Sequence, residues 1–307
     1  MKFWSIVIAE GLMVFGYSIS FPFLGLYLTL ERHISMSIIG FYFSVVILIS
    51  SLSSTFAGSL SDSIGRKKVM FYSLLIRGFL IIIIAICIKY NLYPIWILLA
   101  NFLASVSGFG FHPVAIAYIS DIVDEKDRVK AYSILRISTN LGWAVGPAVG
   151  GFLSSISYSV AFFISGLIIF ISAAIIFLNL DEKIIKSSDT DKQILFKIST
   201  MSKSFKKLLI LSFLMTAVMA QLVVPLSLYS KKYIGFNEKD IGLLFTINGT
   251  IVVFFQYIVG SNIKQEKLTK AIAVSCLLYG FGYLLFGYST YYILAVIAII
   301  VVTCGEI

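Results

Sequence analysis

The stretch Gly58–Lys68 reads Gly-Ser-Leu-Ser-Asp-Ser-Ile-Gly-Arg-Lys-Lys and lies between two apolar segments that are each long enough to cross a bilayer. It therefore predicts a short loop between two membrane helices. Gly58 lets a neighbouring helix approach closely, and Asp62 can accept backbone N–H groups at the start of the next helix. Gly65 permits a sharp turn, and Arg66 begins a cluster of positive charge. A simpler interpretation is a basic loop with ordinary turn residues.

The composition of the whole chain indicates a membrane protein. Of its 307 residues, 59% are hydrophobic and 13% are charged, and the mean hydropathy is +0.98. A spanning helix takes about 20 apolar residues, so the chain has room for about ten spans. A soluble domain could not bury that much apolar surface. We therefore expect an all-α polytopic membrane protein.

The net charge of +9 fits this topology. If the loops alternate between the two sides of the membrane, about 17 of the 24 Lys and Arg residues fall on the side of the Gly58–Lys68 loop. This asymmetry predicts that the loop and the N-terminus are cytoplasmic, in a multi-pass protein of the plasma membrane. The basic charge therefore reflects the topology in a lipid bilayer, and we expect no nucleic-acid partner.

The Gly58–Lys68 loop resembles the signature loop between the second and third helices of the major facilitator superfamily, G-x-L-x-D-x-x-G-R-K/R-x, and matches every fixed position. The resemblance implies two six-helix halves that rock against each other around a central pore. It also implies an ion pair between Arg66 and Asp121, at the inner end of the fourth helix. Asp62 is expected to contact the start of the third helix or a helix of the second half. We expect these residues to form a cytoplasmic gate.

An internal repeat supports the two halves. Gly40 recurs as Gly242 and Gly58 recurs as Gly260 at the same offset along the chain. The second half holds three whole spans and part of a fourth, so we expect about nine full spans plus part of a tenth, and a chain truncated at its C-terminus. The predicted units are an N-terminal half at residues 1–180, a cytoplasmic linker at 181–207 and an incomplete C-terminal half at 208–307.

The predicted fifth span carries a glycine-proline motif that consists of Gly142, Gly146, Pro147, Gly150 and Gly151. Glycines four residues apart permit close helix packing, and the proline bends the helix. The motif resembles that of the fifth helix in the drug:proton antiporters of the same superfamily, although that family motif has a further glycine where this chain has Ser133. We expect Gly146 and Gly150 to face a helix across the interface between the halves. The alternative is an ordinary packing face.

Polar residues within the spans are candidates for a proton and substrate cavity. Glu10 is the only acid well inside the membrane region of the first half, and it heads an aromatic stripe that includes Tyr17. We expect Glu10 to carry the coupling proton if it faces the cavity, and to be structural if Arg77 or Arg136 clasps it. The other candidate cavity residues are Asn101, His112, Arg136, Gln221 and Asn248.

Asn101 and His112 lie on one polar stripe of the fourth span, which either lines a cavity or packs against a neighbouring helix. Drug exporters of the superfamily often carry an arginine twelve residues before a proline in this helix. Counting back twelve residues from Pro113 gives Asn101 and not an arginine. This difference weakens the case for a proton-coupling role at this position. Arg136 either faces the cavity or pairs with an acid.

Together these features predict a secondary transporter, most like the drug:proton antiporters, that exports drug-like or amphipathic compounds. Proton-coupled uptake of a sugar or other metabolite is one alternative, and a truncated fragment that transports nothing is another. A membrane enzyme would need a nucleophile, paired carboxylates or metal ligands at membrane depth, so we predict no enzymatic activity, cofactor or metal. The expected partners are a small-molecule substrate and protons, and the protein is expected to be a monomer.

Overall fold

The structure is a computed structural model that describes residues 2–108, 110–182, 202–262 and 268–307. Within these ranges every regular element is helical and no strand occurs, so the predicted all-α class is confirmed. Most of the predicted linker, residues 183–201, and most of the second copy of the signature loop, residues 263–267, lie outside the described residues.

Twelve α-helices follow one another along the described chain, with short 3₁₀ and π turns between some of them. The N-terminal helices are α1 Lys2–Leu26, α2 Met36–Ile64, α3 Arg66–Lys89, α4 Pro94–Gly108, α5 Phe111–Ile122, α6 Arg128–Ile156 and α7 Tyr158–Asn179. The C-terminal helices are α8 Lys203–Met219, α9 Val224–Tyr229, α10 Glu238–Asn262, α11 Leu268–Gly287 and α12 Tyr292–Glu306.

Seven helical segments of the described residues are long and apolar enough to cross a membrane. The predicted number of nine whole spans is therefore not confirmed. The helix α6, which contains the predicted fifth span, is not one of the seven. It is less apolar than α7. Small residues of α6, among them its glycines, make close contacts with α1 and α10 in place of large apolar side chains, which lowers the hydropathy of the helix.

The helix α1 forms the centre of the N-terminal helices, where it packs along α6 and α7. Its end nearest α2 reaches the C-terminal helices, because Phe23 and Leu26 belong to an apolar cluster that also contains Leu226 and Phe245. The larger apolar cluster lies among the N-terminal helices themselves. The two groups of helices therefore share α1 as a common packing element.

Glycines bring α6 close to α1. A Cβ added at Gly142 would lie 2.8 Å from the backbone nitrogen of Phe15, and Cβ atoms at Gly146 and Gly150 would collide with Ser18 and Ile19. The close approach expected of this motif is thus present. However, the prediction that Gly146 and Gly150 face across the interface between the halves is wrong, because their neighbour is α1.

The interface with the C-terminal helices lies on an adjacent face of α6. A Cβ at Gly151 would collide with the backbone of Glu238, and Gly242 and Gly249 of α10 lie equally close to Pro147 and Ala144. Residues four apart share one helix face, whereas the next residue lies about 100° further round. The motif therefore serves two contacts, with α1 on one face and with α10 on the next.

Gly58 does not bring a helix close to α2. Nothing lies within 4 Å of the position that its Cβ would occupy, and the same is true of Gly40. The packing role that the sequence predicts for Gly58 is therefore wrong. The physical reason is that much of the α2 surface has no helical neighbour in the structure, as the exposed side chains of Phe41 and Phe56 show.

The close contact of α6 with α1 predicts different effects of alanine at two glycines. Gly150→Ala forces α6 away from the Ile19 backbone and should destabilise the protein by about 1–3 kcal/mol. Gly40→Ala adds the same methyl group in open space and should change stability by less than about 0.5 kcal/mol. Thermal unfolding of both variants in detergent micelles measures the difference. Equal unfolding temperatures for the two variants would contradict this packing.

Candidate functional site

The turn between α2 and α3 holds an arginine between two carboxylates. Arg66 Nε lies 2.9 Å from the Asp121 carboxylate, and Arg66 Nη2 lies 3.5 Å from the Asp62 carboxylate. Gly65 adopts a backbone φ of +106°, which lets α3 begin directly after α2 ends. The contacts predicted from the Gly58–Lys68 loop are therefore present: Arg66 reaches Asp121, and Asp62 reaches the start of α3.

A second charged contact lies at the same end of the bundle, which we call the loop end. The Lys2 ammonium donates a hydrogen bond to the Asp181 carboxylate just after α7, and this bond holds the pKa of Asp181 below its usual value. Both side chains are largely exposed, so water screens the pair and it contributes little to stability. Together with Arg66, this pair ties the ends of α1, α3, α5 and α7 to one another.

At membrane depth, Glu10 pairs with His112. The Glu10 side chain is 1% exposed, and one of its carboxylate oxygens contacts Nδ1 of His112, whose own side chain is 56% exposed. The other carboxylate oxygen is buried without a hydrogen-bond partner among the described residues. The sequence predicts either an open carboxylate or one clasped by arginine, and the structure instead gives it an imidazole partner.

Arg77 of α3 lies beside this pair but does not contact Glu10. Its guanidinium carbon is 4.2 Å from the centre of the Tyr17 ring, and its Nη1 is 3.5 Å from the sulfur of Met13. The space for the guanidinium depends on Gly108, where a Cβ would collide with it. Among the described residues Arg77 forms no ion pair.

The structure places Asn101 away from the centre of the bundle. Asn101 is buried and accepts a hydrogen bond of 2.8 Å from the hydroxyl of Tyr42 on α2. For Asn101 the packing interpretation of the α4 stripe therefore holds, whereas His112 at the other end of the same stripe reaches Glu10. Gln221 also lies outside the site, since its side chain is exposed and donates to the carbonyl of Ala217.

A cavity of about 200 Å³ lies between the N-terminal and C-terminal helices. Its polar wall consists of Asn140 from α6, Asn248 from α10 and Glu306 from α12, and its apolar wall includes Trp143, Phe245 and Tyr279. The Asn248 amide donates to Glu306 at 2.8 Å and to the Thr303 hydroxyl at 2.9 Å. Asn140 donates to Gln256 at 3.0 Å, which joins α6 to α10.

Two further residues connect this cavity to the predicted site. Arg136 lies within electrostatic reach of Glu306, and the Tyr17 ring meets Trp143 edge-on with 6.2 Å between ring centres. The candidate list from the sequence does not include Glu306. The signal that finds it is the same one that finds Glu10, namely an acid inside an apolar span.

At the end opposite the loop end, the two groups of helices are joined by polar and apolar contacts. The Tyr158 hydroxyl of α7 donates to the Glu238 carboxylate of α10 at 2.8 Å. Lys231, which belongs to the same C-terminal group as Glu238, donates to that carboxylate at 3.0 Å. At the loop end, the structure shows no ion pair between described residues of the N-terminal and C-terminal helices.

Long apolar helices, ionisable side chains buried at membrane depth and a part-polar cavity between two groups of helices are features of a multi-pass membrane protein. The profile of the Major Facilitator Superfamily matches residues 6–307. The chain therefore belongs to that superfamily.

Its relatives include drug-resistance proteins. The chain is 26% identical over 258 residues to multidrug resistance protein 2 of Bacillus subtilis (strain 168), with 81% of this chain and 63% of the relative covered. It is 24% identical over 251 residues to the quinolone resistance protein NorA of Staphylococcus aureus (strain MSSA476), with 80% and 62% covered. The chain thus spans about three fifths of the length of these curated relatives.

Solved structures share the fold at low identity. A POT family transporter in complex with 5-aminolevulinic acid aligns with 99% of this chain and 81% of its own, with a TM-score of 0.80 at 16% identity. The nucleoside transporter NupG aligns with 99% of this chain and 79% of its own, with a TM-score of 0.78 at 15% identity.

The ion pairs of Arg66 predict unequal effects of two neutralising changes. Asp121→Asn leaves a nearly buried guanidinium without its closer carboxylate and should destabilise the protein by about 3–5 kcal/mol. Asp62→Asn removes a more exposed and more distant carboxylate and should cost less than about 1 kcal/mol. Thermal unfolding in detergent compares the two variants. Equal losses would show that Arg66 does not depend mainly on Asp121.

Proposed function

We propose that this chain forms part of a proton-coupled exporter of amphipathic, drug-like compounds. In this proposal the Glu10–His112 pair binds the coupling proton, and the cavity around Trp143, Asn248 and Glu306 receives the substrate. The N-terminus and the Gly58–Lys68 loop face the cytoplasm of a plasma-membrane protein that acts as a monomer. Residues 1–180 and 208–307 belong to two six-helix halves joined by the linker 181–207.

The observation that carries the proposal is the partner of Glu10. A carboxylate inside a membrane span is costly, and such residues commonly mark ion pathways. Imidazole is the side chain whose charge changes most readily near neutral pH. Because Glu10 and His112 are in contact, we assign the coupling proton to the two side chains together. The His112 ring is half exposed whereas Glu10 is buried, so in this proposal the proton enters and leaves through His112.

The walls of the cavity favour an amphipathic substrate. Aromatic side chains such as Trp143 and Phe245 supply apolar area, and Asn248 and Glu306 supply a few polar contacts. The Glu306 carboxylate also favours a positive group on the substrate. The names of the two relatives, a multidrug resistance protein and a quinolone resistance protein, agree with export of such compounds.

Uptake of a sugar remains the second transport hypothesis. A D-xylose–proton symporter shares the fold with a TM-score of 0.67 at 13% identity, so the fold does not separate import from export. A sugar pocket, however, needs a polar partner for most hydroxyl groups. The largely apolar cavity wall of this chain supplies few of them, which supports the export hypothesis.

The packing of α6 supports movement between two states. Its glycine face contacts α1 while the adjacent face contacts α10, so α6 can transmit motion between the groups of helices. The contacts at the end opposite the loop suit a state that is closed on one side. In an alternating-access cycle these contacts would open as those around Arg66 close onto the second half.

The test is a pH gradient imposed on proteoliposomes, with ethidium as a fluorescent cationic probe. Glu10→Gln should reduce gradient-driven ethidium transport by about tenfold or more, since it removes the carboxylate that couples proton binding to ethidium binding. Glu31→Gln is the matched control, because Glu31 lies at the exposed end of the first span. Its transport should equal that of the unmodified protein.

Two outcomes would contradict the proposal. Undiminished gradient-driven transport in Glu10→Gln would show that Glu10 does not carry the coupling proton. Absence of transport in the unmodified protein, despite normal insertion and folding, would favour the alternative of a fragment that transports nothing.

A further inference from the structure

We infer that Arg77 is the second partner of the Glu10 carboxylate, and that Glu10 exchanges His112 for Arg77 when the pair loses its proton. This inference rests on the proposed function, because it assigns Arg77 a role in that proton cycle. Arg77 acts through Glu10, so we describe it as a positioning residue.

Arg77 is a buried cation that lacks a counter-charge in this structure. It is 4% exposed, and among the described residues no carboxylate pairs with it. Its Nε is buried without a hydrogen-bond partner. Arg77 contacts the side chain of Tyr17 and the sulfur of Met13, and both are weak substitutes for a carboxylate. A charge buried in this way requires a further partner.

Arg77 contacts α1 about one helical turn from Glu10. Met13, which Arg77 contacts, is three residues after Glu10 and on the same face of α1. On the neighbouring chain segment, Gly108 lies against the guanidinium and is four residues before His112, the partner of Glu10. One helical turn is about 5.4 Å, which is within the reach of a glutamate and an arginine that move toward each other.

The Glu10 carboxylate has an oxygen that can accept a second partner. One of its oxygens contacts His112, and the other is buried and unpaired. The hydroxyls of Ser138 and Ser172, which face this part of α1, donate instead to the carbonyls of Val7 and Ala9. Among the described residues, the ionisable side chains shown along this part of α1 include His112, Arg77 and Tyr17.

The two states of the exchange differ in how their charges are matched. In the first state the imidazolium of His112 neutralises Glu10, and Arg77 rests on Tyr17 with its charge unmatched. His112 then gives its proton to water and becomes neutral. In the second state Glu10 pairs with Arg77, so the deprotonated site contains no unmatched charge. Without Arg77, the same step would leave a carboxylate buried alone.

Two aromatic rings, those of Tyr17 and Trp143, connect the substrate cavity to Arg77. Tyr17 covers the Arg77 guanidinium on one side and meets Trp143 on the other, and Trp143 lines the cavity. A substrate that displaces Trp143 would disturb Tyr17 and release Arg77 toward Glu10. Substrate binding and proton loss are thereby linked through side chains that are in contact.

The test compares Arg77→Gln in two backgrounds, by gradient-driven ethidium transport in proteoliposomes. If Arg77 acts through Glu10, Arg77→Gln lowers transport by about tenfold in the unmodified protein but by less than about twofold when Glu10→Gln is already present. Arg136→Gln is the matched control, since it also removes a cation from a span but lies near Glu306. Its effect should be the same in both backgrounds.

Substrate counterflow, which needs no net proton movement, gives a second readout. Arg77→Gln should retain counterflow, whereas a merely structural arginine would be needed for both kinds of transport. If Arg77→Gln fails to fold, the transport of Arg77→Lys is measured instead. It should keep at least about half of the gradient-driven rate because the lysine keeps the charge.

The outcomes separate this inference from the proposed function. Suppose that Glu10→Gln loses transport. If Arg77→Gln is then unaffected, or has equal effects in both backgrounds, the exchange is overturned and the proposed function stands. An Arg77→Lys protein as inactive as Glu10→Gln also overturns it. Undiminished transport in Glu10→Gln overturns the proposed function itself.

Discussion

A carboxylate buried at membrane depth must be neutralised inside the protein, because lipid offers it neither water nor a counter-ion. In this chain the group in contact with Glu10 is the imidazole of His112. Either residue alone would be an uncompensated polar group within the bundle. As a pair they can hold or lose a proton while both helices stay in place. The packing of α1 against α5 therefore also creates a site that can hold a proton.

Close packing around α1 makes that contact possible. The glycines of α6 allow the backbone of α1 to approach it, and α7 packs along the same helix. Where helices approach this closely, van der Waals contacts replace the hydrophobic effect that lipid cannot supply. The adjacent face of α6 carries the contact with α10. One helix thus connects the proton-binding pair to the helices that line the cavity.

The sequence was most informative where local spacing determines the contact. The Gly58–Lys68 loop fixes the end of α2 and the start of α3, so Asp62 and Arg66 lie close together on either side of the turn at Gly65. The contact with Asp121 followed from a family resemblance. Glycines four apart predicted close packing of α6, but the identity of the neighbour depends on the arrangement of all the helices. For that reason the expectation for Gly146 and Gly150 named the wrong partner.

Contacts between distant residues could not be predicted in the same way. Glu10 and His112 are 102 positions apart, and only their similar depth in the bundle brings them together. Periodicity placed Glu10 on an aromatic stripe and His112 on a polar one, but gave no reason to pair them. Asn101 shows the converse, since it shares a stripe with His112 but bonds to Tyr42 on another side of the bundle. A helix face is predictable from sequence, whereas its neighbour is a property of the fold.

The central claim, that the Glu10–His112 pair exchanges its proton for the substrate, is tested most directly by counting protons. Purified protein in weakly buffered detergent solution, with a pH indicator present, is titrated with ethidium near neutral pH. The account predicts release of about one proton per bound ethidium from the unmodified protein, and none from Glu10→Gln. Ethidium binding without proton release from the unmodified protein, or the same release from Glu10→Gln, would contradict it.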